Sequence, residues 1–455
     1  MTVTADFGSG IQTRTFYSAY FILDITNPER PPVLLWSYSA PDQGFTTSYP
    51  TVVRTNPSTS PKTDGTNEKW FVLLGTGVSG YDGSVMGPHG SDPGQVGKLV
   101  ALEMPKPYAA GSALVVSKFP TSDLSAFGPI ISVDTNLDFR TDVTYQGTLM
   151  SNPNAPPPTW IGKFSRLLLN GGNTGPTTWG VTSSSGRSPT LLLTTFPASG
   201  PTQFLGPITS GATASIDDSN HLWVFFGTGR FYNQADKANT DTQYFLGVKD
   251  PVVTGGCADS LTGCQRPNLL NVSSAQICTV CTGGLTQVSG LSGITTFDTG
   301  STSLVGTVQS MDGWFTRLPA AGERVLSDPR LLGGTAFFTT FIPDNDICDA
   351  AGTGNVYALF YLTGTAYKNP IIGQTTTGSN TFSSTSVSLG TGLPSQMAVQ
   401  IGQQGSGLSG TASGSGCQGS VTGFIQGSTG AINQLCAKPA LPLWSRYISW
   451  NNQRL

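Results

Sequence analysis

Charge is what this sequence most lacks. Only 11% of its 455 residues are Asp, Glu, Lys or Arg, and the net charge is −3. The 23 Lys and Arg residues form no basic face. That excludes a nucleic-acid partner, because affinity for a polyphosphate rests on clustered cations. Histidine is rarer still, with His89 and His221 alone. Neither stands near a nucleophile motif, and the sequence contains no G-x-S-x-G elbow and no H-E-x-x-H. His221 opens an apolar run beside Trp223 and reads as structural, and His89 lies in a Gly-Pro loop. No apolar run reaches the ~18 residues of a membrane helix, so no membrane-spanning segment is expected. The opening MTVTADFGSG has neither the basic start nor the apolar stretch of a secretory signal. The chain is therefore expected to be either cytosolic or a piece of a longer protein. Long helical periods of the i, i+3, i+4 kind are also missing.

Turn formers are abundant, with 57 Gly and 31 Pro. Thr, Ser and Gly fill the spaces between short apolar runs, the pattern of many short strands joined by turns. One phrase, an apolar strand ending in a polar turn, recurs at Tyr20–Thr26, Lys98–Glu103, Gly162–Leu169, Gln243–Asp250 and Asn355–Gly364. A second precedes several of these, at Trp70–Gly77, Leu222–Gly229 and Thr335–Thr340. The spacing is too irregular for a WD40 array and fits blades carrying insertions of variable length. The expected fold is all-β. It is a modified β-propeller of about seven irregular blades, forming a single domain over 1–455, because a ring of sheets hides its own strand edges. Two Gly/Ser/Thr-rich segments, roughly 251–310 and 370–435, are expected to be long loop insertions. The Gly-Thr-Gly ends of Trp70–Gly77 and Leu222–Gly229 read as tight turns, since no helix and no Lys follow as a phosphate cradle requires.

The seven cysteines are Cys257, Cys264, Cys278, Cys281, Cys348, Cys417 and Cys436. Thr282 stands where a c-type haem site needs His, and Cys257 and Cys264 are too far apart for a zinc ribbon. Structural disulfides remain, and they imply an oxidising compartment. The odd count leaves one thiol free or paired elsewhere.

The segment with the most chemistry is Asp134-Thr-Asn136-Leu-Asp138-Phe-Arg140-Thr-Asp142, between apolar runs at 127–133 and 143–145. Oxygen-bearing side chains fall at positions 1, 3, 5 and 9. Such a loop wraps Ca²⁺, which takes six to eight oxygens at ~2.3–2.6 Å. Position 7, Arg140, would give its backbone carbonyl, and Asp142 would act as the bidentate ligand. A flexible cage made only of oxygens suits Ca²⁺ better than Mg²⁺. The plain alternative is an Asx-rich turn, which Phe139 at the bend favours, because a bulky residue resists the positive φ usually met by Gly. Asp344-Asn-Asp346 and Asp217-Asp218-Ser-Asn220 read as plain turns.

The chain as a whole resembles the C-terminal propeller domain of the PilY1 family of type IV pilus tip-associated adhesins. The resemblance rests on Gly313-Trp-Phe-Thr-Arg-Leu-Pro319, Gly322-Glu-Arg-Val-Leu-Ser-Asp-Pro329, Phe337-Phe-Thr-Thr-Phe-Ile-Pro343 and Cys348. Phe226-Gly-Thr-Gly-Arg230, Thr242-Gln-Tyr-Phe-Leu-Gly247 and Ser445-Arg-Tyr-Ile-Ser-Trp450 extend it. It implies a nine-residue calcium loop whose ligand positions fall on Asp134, Asn136, Asp138 and Asp142, with Asn and Asp exchanged at positions 3 and 5. It also implies no enzymatic activity. Calcium would tune pilus extension against retraction, surface adhesion and twitching motility. The implied partners are the minor pilins of the tip complex and host or abiotic surfaces, and the implied location is the extracellular pilus tip. Full-length members carry a signal peptide and an N-terminal region, so this chain is expected to be one domain of such a protein. The rival class is a quinoprotein dehydrogenase on a similar propeller. Known quinoprotein alcohol dehydrogenases carry adjacent cysteines near the cofactor, and no Cys-Cys pair occurs here.

Overall fold

The apolar runs that mark this sequence are continuous rather than alternating, and the fold explains why. A computed structural model describes residues 18–56, 67–79, 96–104, 115–151, 160–170, 172, 175–197, 203–255, 257, 260–298, 300, 302–344, 352–401 and 421–442, and the backbone of 2–6 and 11–15. Among the described residues five sheets have four or five strands, and four of these, mainly antiparallel, follow one another along the chain. Sheet A holds Thr51–Thr55, Lys69–Gly75, Val96–Met104 and Val115–Leu124. Sheet B holds Ala126–Val133, Val143–Ser151, Phe164–Leu168 and Thr190–Leu193. Sheet C is built from Thr213–Ile216, Leu222–Gly227, Tyr244–Asp250 and Gly313–Arg317. Arg330–Leu332, Thr335–Ile342, Thr353–Phe360 and Ser386–Thr391 make sheet D. A three-stranded sheet, Ala398–Ile401, Val421–Gln426 and Ile432–Ala437, comes last. This is the expected all-β, propeller-like architecture.

Successive sheets pack face to face, so their inner strands are buried on both sides. In Leu222–Gly227 every residue is buried. Because side chains alternate across a strand, Leu222, Val224 and Phe226 join a core shared with Tyr145 and Phe164 of sheet B. Trp223 and Phe225 join one shared with Phe338 and Tyr357 of sheet D. Aromatic stacks mark both cores: Phe164 on Phe226 at 3.9 Å and Phe245 on Phe338 at 3.7 Å between ring centroids.

The joints between sheets repeat one device. Thr76, Thr148 and Thr228 each donate their N–H to the third strand's side of the sheet, at Lys98 O (3.0 Å), Lys163 O (2.9 Å) and Tyr244 O (2.8 Å). Each hydroxyl accepts the N–H of that same residue, at 2.9, 3.0 and 2.9 Å. Each carbonyl then accepts the N–H of a residue leading into the next sheet: Phe127 (2.8 Å), Ile208 (3.1 Å) and Val325 (3.0 Å). The preceding Gly75, Gly147 and Gly227 have no room for a Cβ, which would overlap those same three residues. The Gly-Thr-Gly ends are therefore inter-sheet fasteners.

The phrases that carry the family resemblance meet at the joint between sheets C and D. Arg324 donates from Nη1 to the carbonyls of Arg230 (2.8 Å) and Asp236 (2.9 Å). Its Nη2 reaches Asn239 O (2.8 Å) and its Nε reaches Gly322 O (2.8 Å). Glu323 Oε1 accepts from Thr340 Oγ1 (2.6 Å), Tyr357 OH (2.8 Å) and Asn355 Nδ2 (3.2 Å). Asp328 ties three distant segments, accepting from Gly211 N at 2.5 Å and from the Tyr49 hydroxyl. Burial pushes its carboxyl above the usual range.

The segment 251–310 lies between two paired strands of sheet C and carries strands of its own. Leu269–Asn271 pairs in parallel with Gly313–Arg317. Gln276–Val280 pairs with Asn380–Ser383, so the two segments read as separate insertions share one sheet. The segment 370–435 differs from the loop expected of it. Six strands fall within or across its span. Gln374–Thr377 is exposed along its length, and it pairs with Asn380–Ser383, which is half-buried beside Gln276–Val280. Cys257–Cys264 and Cys278–Cys281 are disulfides, and Cys436 is disulfide-bonded as well. His89, Cys348, Cys417, Asn345, Asp346 and 445–450 lie outside the described residues. Among the described residues, no helix is long and apolar enough to cross a membrane.

Candidate metal centre

Strands Ala126–Val133 and Val143–Ser151 pair directly, with Val133 opposite Val143. The loop 134–142 therefore closes a hairpin at one rim of sheet B. Its shape is set by its own carboxylates. Asp134 Oδ1 accepts the N–H groups of Asn136 (3.2 Å), Leu137 (2.7 Å) and Asp138 (3.3 Å), and Oδ2 accepts that of Phe139 (2.7 Å). Asn136 Oδ1 accepts from Asp138 N (2.9 Å), and Asp138 Oδ1 from Arg140 N (2.9 Å). These are Asx turns nested one inside the next, the local habit of Asp and Asn.

Turning four consecutive N–H groups onto one carboxylate needs left-handed backbone. Leu137 has φ +62° and Phe139 φ +65°. The bend thus forms at Phe139 despite its side chain, at the cost a non-glycine residue bears there. Both side chains point away from the fold, 81% and 78% exposed.

Asp142 differs from the other acids, being only 6% exposed. Its Oδ2 is held by Thr135, which donates its N–H at 2.7 Å and its hydroxyl at 2.6 Å. Its Oδ1 is buried with no hydrogen-bond partner. A buried carboxylate oxygen without a donor is costly, and Thr135, at loop position 2, turns that carboxylate toward the start of the loop. With Oδ2 occupied, Asp142 presents one free oxygen rather than the bidentate pair expected of it. Arg140 lies at 3.4 Å from Asp138 Oδ2, and its carbonyl is position 7 of the loop.

The donor chemistry fits a hard cation. Three carboxylates, one amide oxygen and a backbone carbonyl lie within nine residues, with no sulfur or imidazole among them. Asp134, Asp138 and Asp142 are nevertheless not gathered to within 4.8 Å of one another in this structure. Among the described residues, the one trio of metal-type side chains at that spacing is Asp250, Cys257 and Cys264. That trio is already engaged. The two cysteines are bonded to each other, and Asp250 accepts from Tyr145 OH (2.6 Å) and pairs with buried Arg166. Burial pushes both the Asp250 carboxyl and the Tyr145 phenol upward, as befits groups sealed between sheets B and C.

Sequence reasoning placed the loop and its acids but missed three things. Thr135 is one, its hydroxyl at loop position 2 being the signal in the sequence. Gly147-Thr148 is another, and its signal is the Gly-Thr that it shares with Gly75-Thr76 and Gly227-Thr228. The Tyr145–Asp250–Arg166 cluster joins residues 105 and 84 positions apart, which no local signal reveals. His221 is structural as expected: its Nδ1 lies 3.2 Å from Asp217 Oδ2, which also accepts from Trp223 Nε1 (2.9 Å). Asp217–Asn220 forms the expected hairpin turn, with Asn220 at φ +63°.

No family model matches the chain. It is 25% identical over 355 residues, 74% of its length, to a type IV pilus biogenesis factor PilY1 homolog of Xylella fastidiosa (strain Temecula1), covering 20% of that protein. A second protein of the same description and organism is 28% identical over 354 residues, 76% of this chain and 23% of the relative. The chain thus spans about a fifth of the curated relatives it matches. The crystal structure of the Pseudomonas aeruginosa PilY1 C-terminal domain superposes with a TM-score of 0.59 at 17% identity, covering 96% of this chain and 84% of that one. The likeness read from the sequence is borne out in both comparisons: this chain is similar in sequence to the two PilY1 homologs and has the fold of the PilY1 C-terminal domain.

Proposed function

We propose that this chain is a non-enzymatic, calcium-binding domain of a type IV pilus biogenesis protein. Ca²⁺ would be held by Asp134, Asn136, Asp138, the Arg140 carbonyl and Asp142, and its occupancy would bias pilus extension against retraction. The observation that carries the reading is Asp142 Oδ1, a buried carboxylate oxygen with no protein donor, in a loop of oxygen ligands. A divalent cation would supply the positive charge that three acids need to stand close together. The ion contributes charge neutralisation and rigidity, with no bond made or broken. Thr135 holds Asp142 in place, and Asp134 organises the four N–H groups that shape the bend.

The pilus assignment is supported by the description of the two curated relatives and by the shared fold. The disulfides suit an exported, oxidising location. On this reading the domain works at the extracellular pilus tip in adhesion and twitching, and its partners are the minor pilins of the tip complex and host or abiotic surfaces. The test uses cells in which the full-length protein carries Asp142→Ala. They are expected to keep normal levels of the protein but to lose the calcium dependence of surface piliation and twitching. Cells whose piliation and twitching respond to calcium and chelator as the parent does would overturn the reading.

A further inference from the structure

We propose that an ion in the 134–142 loop tightens the joint between sheets A and B, so that calcium occupancy is felt by residues of sheet A that hold no ion. This rests on the calcium reading above and concerns what the ion does to the fold.

The two ends of the loop's second half sit in different surroundings. Leu137 and Phe139 are solvent-facing, whereas Thr141 and Asp142 are 7% and 6% exposed. The buried end is fastened to sheet A. Thr141 donates its N–H to Arg54 O at 2.9 Å, and Arg54 donates its N–H to Thr141 Oγ1 at 3.4 Å. It is also fastened to the turn that follows the third strand of sheet B, where Leu169 N–H donates to the Asp142 carbonyl at 2.8 Å. Asn56 at the end of sheet A's first strand reaches the same turn, its N–H donating to Gly172 O at 2.7 Å. Gly172 has φ +67°, and a Cβ there would stand 2.7 Å from Arg140 Cβ. Arg140, Thr141 and Asp142 are therefore wedged between the end of one sheet and a turn of the next.

Asp142 belongs to both systems. Its N–H is bonded to Val133 O at 3.0 Å and its carbonyl to Leu169, so its backbone is part of the joint. Its Oδ1 is the free oxygen of the loop. A cation that fixes Oδ1 fixes that backbone, and through the adjacent Thr141 it fixes Arg54. The far end of the same joint is already closed by Thr76 and Phe127 over a core that includes Val53, Phe71, Phe127 and Leu169. The loop end is thus where an ion can change the joint. Coupling of this kind is reciprocal: what disturbs the joint weakens the ion.

The experiment is hydrogen–deuterium exchange with calcium or chelator, read on peptides spanning 51–56, beside calorimetric titration of calcium. Calcium is expected to slow exchange in 51–56 by about fivefold or more. In Thr141→Val, which removes the acceptor for the Arg54 N–H and keeps the side-chain shape, that slowing is expected to fall by at least about half. Gly172→Ala carries no ligand atom and is expected to weaken calcium by about tenfold, with an unchanged near-ultraviolet circular dichroism spectrum confirming the fold. If wild type binds calcium and protection stays within 134–142, this proposal falls and the calcium reading stands. If wild type gives no calcium heat, both fall.

Discussion

At the scale of the residue, the site is a set of conflicts held in place by hydrogen bonds. Leu137 and Phe139 adopt a backbone that costs L-residues roughly 1–2 kcal/mol each, and neither side chain recovers that by burial. What holds them is Asp134, whose two oxygens accept four N–H groups. Asn tolerates the left-handed region without the chain entropy that Gly would cost. Phe139→Asn is therefore expected to raise unfolding free energy by about 0.5–1 kcal/mol, measured by chemical denaturation in chelator. A loss of stability would mean that the exposed ring contributes packing that this structure does not contain. The turn-forming positions of the loop were legible in the sequence because an Asx-turn loop writes its contacts at fixed local spacings. The single free oxygen of Asp142 was not, because the choice between its two oxygens depends on Thr135 folding back onto it.

At the scale of the element, strands are short and nearly all of their stability comes from neighbours. The runs at Trp70–Gly77 and Leu222–Gly229 were recognisable as core strands because their apolar residues are contiguous, the signature of burial on both faces. The function of their Gly-Thr ends was not, since a turn and a fastener look alike in one dimension. Glycine at 75, 147 and 227 is required by close approach of the next sheet. Gly147→Ala or Gly227→Ala would force a methyl against Ile208 or Val325, and each is expected to cost about 1–3 kcal/mol, as overpacking does in a filled core. Thermal melts of the two variants measure this. Variants as stable as the parent would show that these joints are loosely packed. The long segment at 370–435 misled because Gly, Ser and Thr usually denote loops. There Gln374–Thr377 and Asn380–Ser383 form a hairpin exposed on its outer strand, and Gln276–Val280 supplies a pairing partner from about a hundred residues earlier.

At the scale of the whole molecule, sheets A to D are a row of buried faces joined by repeated fasteners, with buried charged groups such as Glu323, Arg324 and Asp250 held by several hydrogen bonds or an ion pair. Arg324 collects four backbone carbonyls, and Arg166 neutralises Asp250 between sheets B and C. The 134–142 loop lies at a rim of this frame, closing the hairpin of Ala126–Val133 and Val143–Ser151. If an ion binds there and only to the folded chain, as proposed, a hundredfold excess over its Kd would stabilise that state by about 2.7 kcal/mol. The all-β, propeller-like class was readable from composition and phrase repetition. The pairing of distant segments was not, because contacts such as Tyr49 with Asp328 across 279 residues leave no local trace. The most direct test is calorimetric titration of calcium into the chelator-stripped domain, wild type beside Asp142→Ala. One ion per chain is expected in the wild type, and an affinity at least about tenfold weaker, ~1.4 kcal/mol, in the variant. No binding heat in the wild type, or equal affinities in the two proteins, would contradict it.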